Sequence, residues 1–269
     1  MTTLATARLC RLFKGKLVLF LLFTVFFATL SFGKSIDADV KAFPFSPGEK
    51  LTFRVRWAFI TAGEAILEVR PFETVNGIRA YHFVLTARTH SVVDLIYKVR
   101  DRIEGYTDDK MTHAILYKET KEGKTKKKVI VNFDWQKGEA QRFTNGKLAG
   151  PIPLMPGAFD LLSIYYAFRT HELRVGMEFS APVTDGEKCV MGKGRVIRRD
   201  NMKVPIGTYD AFLVEPDLEH IGGVFKRSKD AKIQIWVTAD HRKIPVVLKS
   251  KVAVGSFVAE LVAIEGMNP

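Results

Sequence analysis

The stretch "EAILEVRPFETVNGIRAYHFVLTAR" (Glu64–Arg88) decides the architecture. Two runs of large apolar residues flank an Asn76-Gly77 pair. Asn-Gly tolerates positive φ at both turn positions, which the type I′ hairpin requires. After the pair, Tyr81, Phe83, Leu85 and Ala87 recur at every second position. Successive strand side chains point to opposite faces, so these four share one face of a half-buried strand.

The same rhythm extends in both directions. In "KLTFRVRW" (Lys50–Trp57), Leu51, Phe53, Val55 and Trp57 oppose Thr52, Arg54 and Arg56. "IYKVRDRIEGY", "HAILYKETK", "KKVIVNFDW" and "EAQRFTNGKLAG" follow, divided by turn-forming "TDDK", "KEGK" and "QKG". Asn145-Gly146 marks another hairpin or loop. "GMEFSAPV", Asp185-Gly186, "EKCVMGKGRVIRR", "GTYDAFLVEP", "AKIQIWVT", "IPVVLKSKVAV" and "FVAELVAIE" complete the series, and Gly255-Ser256 fits a two-residue II′ turn. No segment alternates strand with helix, which argues against a parallel sheet. The expected fold is mainly all-β: an antiparallel meander of roughly a dozen strands forming a β-roll or open barrel.

One segment breaks the period. "GAFDLLSIYYAFRTHEL" (Gly157–Leu173) places Phe159, Leu162, Tyr166 and Leu173 near helical spacing, between Pro156 and Gly176. This predicts one helix near 157–173, with Asp160 in its first turn and Arg169 and His171 near its last, complementing the helix dipole. The Pro-rich "GPIPLMPG" before it reads as an extended connection, and residues 150–157 as a seam within a single domain.

The first 33 residues fall outside that fold. Arg8, Arg11, Lys14 and Lys16 precede "LVLFLLFTVFFATLSF" (Leu17–Phe32), an uncharged run shorter than the ~20 residues that a membrane-spanning helix needs. This is the pattern of a secretory signal peptide, with cleavage expected after Gly33. The expected domains are therefore a leader over 1–33 and one β-rich domain over 34–269. The chain carries 41 Lys and Arg against 29 Asp and Glu, and the leader takes four of those cations, leaving 37 against 29, a net +8. In an exported chain this charge points to anionic lipid or acidic polysaccharide rather than nucleic acid. Of two cysteines, Cys10 lies in the leader, so Cys189 has no internal disulfide partner and a hydrophobic core must hold the fold.

Segments spread over Pro47–Leu261 then resemble a family of exported bacterial proteins whose domain has no assigned function: "PGEKLTFRVRW" with Gly63 after it, "DLLSIYYAFRT", "VPIGTYDAFLVEP", "IQIWVTADHRKIPV" and "GSFVAEL". The resemblance implies an antiparallel β-roll or open barrel in the periplasm or cell envelope. It implies no catalytic residues.

The candidate chemistry is sparse. Asp240-His241 lies in "TADHRK" between two strands, where Asp suits a turn by bonding backbone N–H groups two residues on. Adjacent turn residues splay apart, so this pair reads as a hairpin tip rather than an acid–base dyad. Asp160, Ser163 and His171 resemble a triad in composition, but His171 lies about two turns from Ser163 and no G-x-S-x-G elbow exposes the serine. The six histidines form no close H-x-H or H-x-x-x-H pair, so no metal and no cofactor is expected. Paired carboxylates for glycan cleavage need no sequence spacing, so that reading stays open.

What remains is apolar, aromatic and cationic. The leading expectation is a non-enzymatic periplasmic binding or carrier protein for an amphiphile or anionic envelope polymer. Trp57, Phe83, Tyr165 and Trp236 would line its apolar concave face, and Arg54, Arg56 and Arg169 would meet anionic headgroups. Lys124, Lys126, Lys127 and Lys128 in "KETKEGKTKKKV" (Lys118–Val129), with Phe225, Lys226 and Arg227 in "EHIGGVFKRSK", would contact a membrane surface or another anion. The alternatives are an assembly factor that pairs with an envelope protein partner and a glycan-acting hydrolase.

Overall fold

The computed structural model describes residues 43–124, 126–217, 232–252 and 255–267. The leader and its cleavage point lie outside the described residues, as do Phe225, Lys226 and Arg227. The strands are β1 (Lys50–Trp57), β2 (Ile60–Val75), β3 (Ile78–Thr89), β4 (Arg100–Asp108), β5 (Ala114–Glu122), β6 (Lys126–Asp134), β7 (Glu139–Thr144), β8 (Lys147–Leu148), β9 (Ile152–Pro153), β10 (Phe159–Asp160), β11 (Glu178–Thr184), β12 (Cys189–Val204), β13 (Gly207–Pro216), β14 (Lys232–Thr238), β15 (Pro245–Val252) and β16 (Gly255–Glu265). Two helices interrupt them, α1 (Ser91–Asp94) and α2 (Ser163–Arg169).

All strands belong to one sheet, in the order β10 to β16, then β1 to β8, with β9 beside β7. Two meanders are thus joined where the first long strand pairs with the last: Phe53 lies opposite Leu261 and Trp57 opposite Phe257. Every long ladder is antiparallel, as the period-two pattern predicts; only the two-residue β10 runs parallel to its neighbour, β11. The Asn-Gly turns form as read, with φ of 52° and 79° at Asn76-Gly77 and 50° and 81° at Asn145-Gly146. The Gly255-Ser256 turn does not. Val252 pairs with Gly255, so Gly255 opens β16 rather than standing in a turn. Ile96–Val99, read as the start of a strand, belong instead to the connection before β4.

The helix is shorter than its periodicity suggested. Phe159 and Asp160 leave the helical path and pair with Val183 and Thr184. The Asp160 carboxylate, placed before the helix rather than in its first turn, accepts the N–H groups of Leu162 and Ser163 at 2.8 Å and the Ser163 hydroxyl at 2.6 Å. That is the side-chain satisfaction of unpaired donors that a helix start needs.

The sheet curls until its far parts meet without forming a closing ladder among the described residues. Ala114 N–H donates to Ala158 C=O at 3.0 Å. Arg142 donates to the Asp185 carbonyl and pairs with Glu187 at 3.1 Å. Gly105 leaves the gap that Asp160 fills: a Cβ there would stand 2.7 Å from the carboxylate oxygen. The core packs both meanders together through Phe45, Leu51, Phe53, Phe83, Tyr166, Leu213 and Leu261.

Candidate functional site

An antiparallel meander puts its turns alternately at two ends of the sheet, and the two ends differ. The closed end holds the β2–β3, β4–β5 and β14–β15 turns and α2. Here Arg169 is 0% exposed and forms a two-pronged pair with Glu49, Nη1 to Oε1 at 2.5 Å and Nη2 to Oε2 at 2.9 Å. The remaining guanidinium donors go to the carbonyls of Arg242, at 3.1 and 2.8 Å, and Pro44, at 3.0 Å. Buried charges need this degree of pairing and hydrogen bonding to be tolerated. The rings around the pair are packed: Phe83 stacks on Tyr166 at 3.8 Å, and Phe45 meets both edge-on. Asp240 also belongs to this end. Its carboxylate takes the Thr238 hydroxyl at 2.7 Å, Arg242 N–H at 3.0 Å and the Arg242 guanidinium. Burial opposes its charge, but Arg242 and Thr238 outweigh that and hold it below the usual carboxylate range. It is a turn clasp, and the carbonyl it helps to position is the one that Arg169 grips.

At the other end, the same inward-facing strand positions are open to solvent. Along β1, Leu51 and Phe53 are buried whereas Val55 and Trp57 are half-exposed. Along β3, Tyr81 and Phe83 give way to half-exposed Leu85 and Ala87. On β4, β5 and β6 the inward residues change type as well, to Asp101, Glu119, Lys121 and Lys127. Glu119 holds Lys121 at 2.7 Å and Lys127 at 3.8 Å. Burial pushes the Asp101 carboxyl up, with Lys121 pulling it back.

The rim of this end is continuous. Ala58 N–H donates to Ser256 C=O, and His90 N–H to Ala62 C=O at 2.9 Å. Lys124 N–H donates to Lys98 C=O at 2.8 Å, with Gly123 allowing the chains to touch there. Lys128 N–H donates to the Asn145 side chain at 2.8 Å. On this rim stand Phe59 (100% exposed), Leu95 (88%), Val92, Ile96, Ile60 and Tyr97, half of the large apolar side chains that protrude anywhere on the described chain. Beside them Lys121, Lys126, Lys127 and Lys128 line, with Thr120, Glu122 and Asn145, a shallow depression of about 550 Å³. Lys98, Lys124, Lys126 and Lys128 are exposed and have no ion-pair partner among the described residues. The Lys124 ammonium lies 5.5 Å above the Tyr97 ring.

The residues singled out in the sequence therefore separate. Lys124, Lys126, Lys127 and Lys128 come together at the open end, where Trp57 also lies, stacked on Phe257 at 6.2 Å. Phe83, Tyr165 and Arg169 stand at the closed end, where Tyr165 donates its hydroxyl to the Lys243 carbonyl at 3.2 Å. Trp236 is buried, its indole donating to Asp200 at 2.8 Å with Lys249 over the ring. Arg54 and Arg56 share Glu260 at 3.1 and 2.9 Å on the outer face. At the closed end, α2 and the aromatic core pack against the concave face. Among them, no three metal-ligating side chains converge. Asp160 and Ser163 do bond, but inside the core, where burial raises the Asp160 carboxyl to about 6 against the pull of Ser163 and the backbone N–H groups; His171 turns instead to the Ala167 carbonyl.

Sequence reasoning missed the apolar half of the rim. Its signal was "SVVDLIYK" (Ser91–Lys98), where five large apolar residues fall within six positions without strand alternation.

Residues 52–262 match the family described as "Protein of unknown function (DUF3108)", and the chain belongs to that family. No curated protein matches it. Among solved structures, a beta-barrel-like protein of domain of unknown function DUF1849 from Brucella abortus is similar at a TM-score of 0.51 and 8% identity, over 83% of this chain and 99% of that one. At that identity the likeness concerns the fold alone. A candidate exported protein with YmcC-like fold from Bacteroides fragilis gives a TM-score of 0.37 at 7% identity, over 83% and 98% of the two chains, too low to bear on the argument.

Proposed function

We propose that this member of the family is a non-enzymatic binding protein of the cell envelope, taking an anionic amphiphile or an anionic envelope polymer at the open end of its sheet. One observation carries the reading: a depression of about 550 Å³ lined by Lys121, Lys126, Lys127 and Lys128 opens beside protruding apolar side chains. A cationic hollow with apolar neighbours complements a ligand that has a charged head and an apolar body. The export signal read in the first 33 residues agrees with an envelope location, and the family match adds no activity of its own. Compared with a carrier that swallows its ligand, this reading moves the site from the packed interior to the rim.

The test is purification without detergent, followed by native and denaturing mass spectrometry and solvent extraction. A stoichiometric anionic lipid or glycan is expected, or, for protein that arrives bare, uptake of added short-chain phosphatidylglycerol or dextran sulfate. Lys126→Glu with Lys128→Glu should abolish it. Bare protein that takes up neither probe would end the proposal.

A further inference from the structure

Half of the protruding apolar side chains of the described chain share one rim with four unpaired lysines, and that juxtaposition has a geometry of its own. Phe59 and Ile60 sit at the β1–β2 turn; Val92, Leu95, Ile96 and Tyr97 sit in the β3–β4 connection; Lys98, Lys124, Lys126 and Lys128 continue the row. Backbone hydrogen bonds between β2 and β3 and between the β3–β4 and β5–β6 connections hold these pieces side by side. The apolar residues are tips rather than a flat face, and they occupy turns, which are the parts of an antiparallel sheet that can enter a soft phase without exposing strand edges.

From this arrangement we infer that the open end docks upright on a bilayer that carries anionic phospholipid. The apolar tips enter the headgroup region and the lysines rest on the anionic surface. Charge complementarity selects this occupant. A cluster of large exposed apolar side chains marks an interaction surface, and a row of ammonium groups without ion-pair partners among the described residues beside it matches an anionic lipid surface. A second copy of the chain would bring the same lysines face to face. The inference shares the envelope location of the preceding reading but does not need a captured ligand: docking uses the apolar tips together with the lysines, whereas capture uses the lysine hollow and does not need the tips.

The experiment places a reporter in the rim. Leu95→Trp and, as the control at the opposite end, Ile206→Trp are compared by fluorescence in vesicles that contain brominated phosphatidylcholine and phosphatidylglycerol. Read as the difference from wild type, whose three native tryptophans include Trp57 at the open end, docking predicts added quenching at position 95 and none at 206. Because each reporter reads its own surroundings, insertion of any other part of the chain does not mimic the result. In sedimentation with the same vesicles, Leu95→Glu with Ile96→Glu should lower partitioning by about tenfold or more. Each of Lys124→Glu, Lys126→Glu and Lys128→Glu should lower it by about fivefold, and salt should weaken it. Equal signals at 95 and 206, or equal binding to vesicles of phosphatidylcholine alone, would overturn the inference. So would a lipid-free dimer that Leu95→Glu dissociates, since the tips would then be covered by a second chain. A co-purified ligand without vesicle docking would leave the preceding proposal standing and remove this one; docking without a ligand would do the reverse.

Discussion

The two ends of this sheet are built from the same strands, yet they obey different rules. At the closed end, the inward positions are packed with apolar and aromatic side chains, and the buried charge there, Arg169, is held by Glu49 and by the carbonyls of Arg242 and Pro44. At the open end, the continuation of those strands carries Asp101, Glu119, Lys121 and Lys127 inward and leaves large apolar tips in solvent. A fold needs only one such closed end to hold its shape. Stability concentrated there frees the other end to carry residues that cost the fold something, which is where binding surfaces are found.

The largest effects are therefore expected at the closed end. Removing one partner of the buried pair, as in Glu49→Leu, strands a charge and should cost about 3–5 kcal/mol in urea unfolding. Replacing both, Glu49→Leu with Arg169→Met, should recover most of that. A double variant as unstable as the single one would show that the pair specifies the end rather than merely neutralising itself. Phe83→Ala should likewise cost about 3–5 kcal/mol, whereas Phe257→Ala, half-exposed at the open end, should cost about half as much or less. Equal costs would erase the distinction between the ends.

A smaller effect depends on pH. Asp160 has a folded value of about 6, above the ~3.9 of an unfolded chain. Between these values the folded state holds a proton that the unfolded state has lost, so this group's contribution to stability falls as pH rises, by up to about 1.4 kcal/mol per pH unit. Below pH ~4 both states are protonated and the penalty vanishes. Asp160→Asn should remove that slope while keeping an acceptor for the Leu162 and Ser163 N–H groups. The stability difference between wild type and variant, followed across pH 4–7, checks it; a flat difference would show that the carboxyl titrates normally.

The smallest effects belong to the rim. Leu95→Asn and Ile96→Asn, or Lys126→Glu, should change stability by no more than about 0.5 kcal/mol, because these side chains contact little of the folded chain. A larger loss would mean that the rim is part of the core.

The sequence by itself determined the strands, their antiparallel order and the Asn-Gly turns, because these rest on local stereochemistry: alternation of side chains and the φ that each residue tolerates. It also marked Lys124–Lys128 as cationic. The helix came out too long because helical spacing cannot show that Asp160 would turn aside to pair with β11 and sit against Gly105. Arg169 read as a free cation because its partner, Glu49, lies 120 residues away. Only the curl of the sheet decided that one end would be plugged by α2, and that Tyr97, Lys98 and Lys124 would share a rim. Those outcomes depend on which strands become neighbours, and no window of sequence contains both sides of such a contact.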